Sequence, residues 1–185
     1  GSVLVEEAKS LNTTLDLIEG FRFDSGYVSN TFINNDRAGT VDYENPLVLV
    51  TDEKIEHIEQ IMPTLEIAAR DNRPLLVIAN DFEGQALAAL IMNTMRGSMK
   101  VVAVKAPKYG EERRAIMADL ALATGAKFFQ RSLGHKLTEV SLVDFGKAAS
   151  VEITKNTTTV VELPRSIANV PKSFFVISLL LRFSN

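Results

Sequence analysis

The chain has 185 residues, of which 46% are hydrophobic and 23% charged, and its formal net charge is -3. This balance indicates a soluble globular protein with one domain, or one domain plus an extension. The basic residues are dispersed, which argues against nucleic acid as a partner. Without cysteine, and with only His57 and His135 as imidazoles, the sequence excludes a disulfide scaffold, a thiol nucleophile and a zinc ribbon. No metal site is predicted.

The two ends of the chain have distinct compositions. Gly1-Ser2 is typical of an expression scar, and no secretory signal follows it. Residues 173–183 (SFFVISLLLRF) are densely apolar, but they are too few to span a bilayer and they include Arg182. We therefore expect no membrane partner, and we expect this tail to pack against protein.

Four short runs of branched or aromatic residues indicate a parallel sheet, because helix-length segments separate them. The runs are residues 46–50, 74–79, 100–105 and 126–131. Each crossover is expected to be right-handed.

The helices between these runs have recognisable start and stop signals. The first is predicted to begin near Asp52, a good N-cap, and to reach Arg70 with a kink or an irregular turn at Pro63. Asp81 is predicted to cap the second helix, which ends at Gly97. The third is expected over residues 111–124, before Gly125.

Outside these segments the pattern favours an antiparallel layer. Residues 40–43 alternate as a strand, and residues 151–154 with 158–162 predict a hairpin. Residues 3–17 are interpreted as a connector, followed by Gly20 as a pivot.

The second helix has apolar side chains around its whole circumference. Leu90, with Ala86 and Ala89, can form a stripe that faces the core. A second stripe consists of Leu87, Ile91, Met92 and Met95. Two explanations stay open: the helix is fully buried, or its second stripe lines an apolar groove for a ligand.

Motifs for catalysis or nucleotide binding are missing from the sequence. Neither a GxGxxG nor a P-loop nor a GxSxG pattern occurs, and Lys108-Tyr109-Gly110 is too weak a phosphate cradle. Asp81 and Glu83 could act as an acid-base pair after Asn80, but capping explains Asp81 better. Neither histidine has a catalytic partner in the pattern, and no catalytic residue is predicted.

Three motifs follow one another along the chain: Gly26-Tyr27-Val28-Ser29 with Phe32-Ile33-Asn34, then Asn93-Thr94-Met95-Arg96-Gly97, then Val104-Lys105-Ala106-Pro107. Together they resemble the apical domain of group I chaperonins, the GroEL-type family. The resemblance runs collinearly over residues 3–161. It implies a three-layer β/β/α swivelling domain with a central parallel sheet and an added antiparallel layer.

The resemblance also implies a function and a site. In this family two adjacent helices form a groove that captures non-native polypeptides or the mobile loop of a 10 kDa-type co-chaperonin. The matching positions are Tyr27, Ser29, Thr31, Phe32, Met62, Leu65, Leu87, Ile91, Met92 and Asn93. Gly20 matches the hinge.

The sequence departs from the family pattern at several positions. Ser25, Asn30 and Thr31 replace an arginine, a proline and a tyrosine of the loop, which predicts a looser and less aromatic loop. Lys108 stands where a glycine is usual.

The family's ATPase domain is not part of this sequence, so no cofactor is expected here; ATP and Mg²⁺ would bind elsewhere in a longer parent. The resemblance implies a heptameric parent ring, in the cytoplasm or an organellar matrix, and a monomeric fragment.

We divide the chain into residues 1–18 (connector), 19–163 (apical domain) and 164–185, a tail without family counterpart. The tail could dock as a pseudo-substrate in a neighbouring copy's groove or fold back on its own domain. A small-molecule or nucleotide site at Asn80-Asp81 and Lys105-Ala106, or a purely structural ring-building role, are the alternatives.

Overall fold

The computed structural model describes residues 4–9 and 17–164, and their side chains from residue 20 onward. These residues form a mixed α/β fold with a mainly parallel sheet, an antiparallel sheet, a two-stranded parallel sheet and three α-helices. Within the described ranges, no helix combines the length and the apolarity that a membrane crossing requires. The Gly1-Ser2 pair and the tail beyond Pro164, with its predicted docking, lie outside them.

The strands and helices are numbered in chain order. The strands are β1 (Leu4–Lys9), β2 (Leu17–Phe23), β3 (Val41–Glu44), β4 (Leu47–Thr51), β5 (Lys54–Ile55), β6 (Leu75–Ala79), β7 (Asp81–Phe82), β8 (Val101–Lys105), β9 (Phe128–Phe129), β10 (Gly146–Lys147), β11 (Ser150–Ile153) and β12 (Thr158–Val161). The helices are α1 (Ile58–Asp71), α2 (Gly84–Met95) and α3 (Gly110–Thr124).

The predicted parallel sheet is confirmed. β4, β6 and β8 pair in parallel and in chain order, and each is an almost unbroken run of buried apolar residues, as strands covered on both faces require. The other edge of β4 is shared: β9 pairs parallel to its carboxyl-terminal half and β10 antiparallel to its amino-terminal half. The fourth predicted run therefore contributes only two residues as a strand.

The antiparallel sheet has the strand order β1-β2-β12-β11-β3. It includes the predicted hairpin, which is now β11 and β12. The residues interpreted as a connector contain β1, which pairs with β2 along its whole length. Tyr43 in β3 donates a hydrogen bond to the Val101 carbonyl of β8, at 3.2 Å, and so links the two sheets. Burial raises the pKa of this Tyr43 hydroxyl to about 12.

The predicted starts of α1 and α2 are wrong. Residues 54–55 and 81–82 pair as the two-stranded parallel sheet β5–β7, so α1 begins after His57 and α2 after Glu83. Asp52 Oδ1 instead accepts a hydrogen bond from the Arg131 amide at 3.0 Å. The local capping signals at Asp52 and Asp81 were overridden by the pairing of residues 54–55 with residues 81–82. The sequence pattern gives no sign of this pairing between distant segments.

The rest of the helix predictions agree better with the structure. α1 continues through Pro63 as one helix, without the expected irregular turn. α3 ends at Gly125, whose φ of 74° is the left-handed conformation expected at a helix end. Lys108 has φ 61°, also left-handed, so a glycine at this position would be free of the strain that a lysine carries there.

The order of the strands places the helices on two faces. The crossovers through α1 and α2 step from β4 to β6 to β8, whereas the crossover through α3 returns from β8 to β9 beside β4. Because such crossovers are right-handed, α1 and α2 lie on one face of the parallel sheet and α3 on the opposite face. α1 contacts α2, while α3 contacts β4, β9 and β10.

Candidate functional site

The amino ends of α1 and α2 are fixed to one small sheet. β5 and β7 each lead into one of the two helices, and they pair with each other. The Glu83 amide donates to the Ile55 carbonyl at 2.9 Å, and the Ala86 amide donates to the Glu56 carbonyl at 3.2 Å. These bonds cross from the start of α2 to the segment that precedes α1. The two helices are therefore held as a pair.

Gln60 closes the start of α1. Its Oε1 accepts hydrogen bonds from the Glu56 and His57 amides, both at 2.9 Å, and so satisfies two backbone donors at the helix end. Its Nε2 donates to a Glu53 carboxylate oxygen and to the Lys54 carbonyl, both at 3.1 Å. His57 is thus the N-cap of α1, although the predicted start near Asp52 would have placed it inside the helix.

An ion-pair cluster lies at the same end of the helix pair. Lys54 Nζ is 2.8 Å from Glu56 Oε1 and 2.9 Å from Glu83 Oε2. The hydrogen bond to Glu56, and next the one to Glu83, raise the pKa of Lys54 above its ordinary value of 10.5. The hydrogen bond from Lys54 likewise lowers the pKa of Glu56. All three side chains are well exposed, so the cluster orients the helix starts more than it stabilises the fold.

The two stripes of α2 have different environments. Ala86 and Leu90 are fully buried, as predicted. Leu87 and Ile91 are half-buried and pack against the edge of the core. Met92 is 46% exposed and Met95 68% exposed. The helix is thus neither fully buried nor wholly open, and its second stripe offers apolar surface to a partner.

On α1, the structure divides the two predicted contact residues. Met62 is exposed, but Leu65 is only 5% exposed and lies with Ile61 and Ala68 on the buried side of the helix. Phe32 is fully buried as well, in a 3-10 turn that contacts α2 and β8. The helical phase of Leu65 and the turn that carries Phe32 direct both side chains into the core, so neither offers exposed surface in this structure, and their contact role stays a prediction.

The loop around Tyr27 is anchored on two strands. The Tyr27 amide donates to the Thr154 carbonyl at 3.2 Å, and the Val28 amide donates to the Ala103 carbonyl at 3.0 Å. Gly26 lies so close to the backbone of Thr154 and Lys155 that no Cβ fits there. This packing explains the glycine of the predicted motif.

The substituted positions of this loop also have hydrogen-bond partners. Ser25 Oγ donates to the Lys105 carbonyl. Ser29 Oγ accepts from the Thr31 amide at 3.2 Å and so caps the 3-10 turn, on which Thr31 is exposed. These hydrogen bonds hold the loop at both positions, whereas the sequence predicted a looser loop. Thr31 is still a smaller contact surface than a tyrosine.

The structure brings Tyr27 and Leu87 together. Both line an open cavity of about 670 Å³, with Val28 and Phe82 as further apolar walls and Lys105 among the polar ones. The cavity extends the apolar surface of α2 towards the anchored loop. Asn93 lies further along α2, where its Nδ2 donates to the Ala89 carbonyl at 2.8 Å, one turn earlier.

Gly20 lies within a paired strand. It is in β2, opposite Glu6 of β1 on one side and Val161 of β12 on the other. A swivel at this residue would have to bend a strand that is hydrogen-bonded on both edges. The hinge role stays a prediction.

The residues of the alternative site at the strand ends are divided between two cavities. Asp81 and Lys105 line the open cavity beside Tyr27 and Leu87. Asn80 lines a separate cavity of about 190 Å³ with Asp52 and the first residues of α3, below the range of about 300–1,000 Å³ usual for ligand pockets. The cations there are engaged: Arg113 donates to the Pro107 carbonyl at 3.3 Å, and Arg114 pairs with Glu111 at 3.2 Å. Asn80 Oδ1 is nevertheless buried without a hydrogen-bond partner in the described part of the chain.

Sequence reasoning missed the residues that hold the helix pair together, Lys54 and Gln60. Gln60 lies three residues after His57, and a glutamine at that spacing is a capping signal that could have identified His57 as the N-cap.

A scan of the chain against models of protein families found no match. Among residues 4–9 and 17–164, no group of three or more histidine, aspartate or glutamate side chains could hold a metal ion.

Proposed function

We propose that the chain binds non-native polypeptides on the apolar surface between α1 and α2, as the apical domain of a group I chaperonin does. The observation that carries this proposal is the exposure of Met62 and Met92 beside the half-buried Leu87 and Ile91 on two helices with fixed starts. The mobile loop of a co-chaperonin would bind in the same place. The finer fold we propose is the swivelling β/β/α domain.

The chemistry of this surface suits a receptor for many sequences. Methionine side chains are flexible and polarisable, so they adapt to differently shaped apolar groups. The backbone beneath them is fixed by β5–β7 and by the anchored loop. A rigid frame with soft side chains selects for apolar character and against no particular sequence.

The expected affinity for one domain is modest. A peptide that buries ~400 Å² of apolar surface gains ~10 kcal/mol at ~25 cal/mol per Å². Ordering the peptide and losing its free motion remove most of that gain, which leaves a dissociation constant of roughly micromolar or weaker. In a heptameric parent, several grooves would engage one client and tighten its capture. ATP hydrolysis, in another domain of that parent, would drive release and folding.

The decisive test compares two groove variants with a matched control. Ile91→Glu and Met92→Glu place a charge on α2 in the proposed groove, which is the apolar surface between α1 and α2. Leu133→Glu places the same charge on an exposed leucine in the 3-10 turn of residues 131–133, away from that surface. We expect each groove variant to bind a labelled, unfolded client at least about tenfold more weakly, whereas Leu133→Glu binds as the wild type does. Fluorescence anisotropy measures the affinity, and circular dichroism verifies folding. Equal affinity in all four folded proteins would refute the proposal.

A second candidate is a small-molecule site at the strand ends, which the unpartnered Asn80 Oδ1 favours. This site predicts that a bound nucleotide or other small ligand raises the melting temperature. The effect would persist in Met92→Glu and disappear in Asn80→Leu. The small cavity beside Asn80, its separation from Asp81 and Lys105, and the engaged arginines make it the weaker candidate.

A further inference from the structure

A second exposed apolar surface lies at the carboxyl-terminal end of α3. It consists of Leu122, Leu142, Val143 and Leu163, which surround an open cavity of about 680 Å³; we call it the α3-end patch. Leu122 is 82% exposed and Val143 85% exposed. A contiguous apolar surface of this kind marks an interaction site more often than scattered leucines do.

The backbone beneath this patch is well defined. Asp144 Oδ2 accepts from the Ser141 amide at 2.9 Å and holds the turn that carries Leu142 and Val143. The Lys127 amide donates to the Asp144 carbonyl at 3.0 Å, which ties this turn to the chain after α3. The exposure is therefore a property of a fixed surface.

The chain itself supplies an occupant of suitable chemistry. Leu163 and Pro164 line the cavity, so the described chain ends at the rim of the patch. Residues 165–172 separate Pro164 from the apolar run 173–183, and these eight residues can span at most about 29 Å. That reach is ample for the run to return to the patch.

We propose that residues 173–183 dock on the α3-end patch of their own chain. A tether of this length gives an effective concentration on the order of millimolar, which exceeds that of a second copy in dilute solution. The patch lies on the α3 face, whereas the groove lies on the opposite face with α1 and α2. This docking is independent of the proposed function and leaves the groove open.

Thiol crosslinking tests the proposal in the full chain, which has no cysteine of its own. The pair Lys147→Cys with Ser178→Cys places one thiol at the cavity wall and one inside the apolar run without removing an apolar side chain. The matched control is Ala88→Cys on the exposed side of α2 with the same Ser178→Cys. A short bifunctional reagent should close the first pair within the monomer at least about tenfold faster than the second, at a rate independent of protein concentration.

Other outcomes overturn the proposal. Faster closure of the Ala88→Cys pair would place the run in the groove, crosslinked dimers would place it on a second copy, and equal slow closure would place it on neither surface. Limited trypsin digestion adds a measurement without crosslinking, because cleavage after Lys172 or Arg182 requires the run to be free. Val143→Asp should speed that cleavage about tenfold relative to Leu133→Asp, since proteolysis follows the open population. Equal cleavage rates would contradict the docking.

Discussion

The two faces of the parallel sheet both expose apolar side chains, but they do so differently. On the face that carries α1 and α2, exposed methionines accompany half-buried residues on a helix pair whose amino ends are held by β5 and β7. On the α3 face, a leucine and a valine are exposed next to the point where the described chain ends. Apolar exposure alone therefore does not identify a binding site for a foreign chain. What decides is whether the same molecule has a segment in reach that can cover the surface.

The largest expected effect distinguishes the buried from the open side of each helix. Leu90→Ala in α2 and Leu120→Ala in α3 remove fully buried side chains, so each should lower the free energy of unfolding by about 2–5 kcal/mol. Met92→Ala should change it by less than about 0.5 kcal/mol. Leu122→Ala should cost more, about 1 kcal/mol, because the docked tail would bury it. Urea denaturation gives all four values, and equal costs for Met92→Ala and Leu122→Ala would contradict the covered patch.

Two buried helix threonines sharpen the comparison at an intermediate magnitude. Thr64 Oγ1 in α1 is buried without a hydrogen-bond partner among the described residues, whereas Thr124 Oγ1 in α3 donates to the Leu120 carbonyl at 2.9 Å. Thr64→Val removes an unsatisfied hydroxyl at nearly constant shape and should raise the free energy of unfolding by about 1 kcal/mol. Thr124→Val should lower it by a similar amount. Chemical denaturation of both variants measures this opposite sign, and a loss in both would show that Thr64 finds a partner.

The smallest expected effect is a pH dependence of stability that arises from the ion pairs of Lys54 at the amino ends of α1 and α2. Because the folded pKa of Glu56 is lowered, its pairing with Lys54 contributes stability above the ordinary pKa of 4.5, and this contribution is lost as the pH falls through the lowered value. Because the pKa of Lys54 is raised, its contribution to stability is fully present below the ordinary pKa of 10.5 and is lost as the pH rises through the raised value. Wild type should exceed Glu56→Gln slightly in urea midpoint at about pH 7, and this difference should shrink as the pH falls below 4.5. A difference that grows in acid would contradict the sign.

Much of the fold was predictable from periodicity and composition. The runs that became β4, β6 and β8 were recognisable because strands buried on both faces need unbroken apolar residues. The end of α3 at Gly125 and the buried stripe of Ala86 and Leu90 followed from helix stop signals and a 3.6-residue period. Met62 and Met92, two of the predicted contact residues, are exposed, but the site itself stays a prediction.

The errors have a common physical origin. Asp52 and Asp81 carry good local capping signals, yet the pairing of β5 with β7 moved both helix starts. Leu65 and Phe32 belong to the predicted site by their positions, but α1's rotation and the 3-10 turn bury them. In both cases a contact between residues distant in sequence outweighed a local preference.

The amino-acid sequence by itself determined which segments are strands and helices in the parallel core, since period and apolar content are properties of neighbouring residues. Only the tertiary structure decided where α1 and α2 begin, which apolar side chains are exposed, and on which face each helix lies. Those features depend on pairing and burial between distant segments, and their energies arise only when the chain is folded.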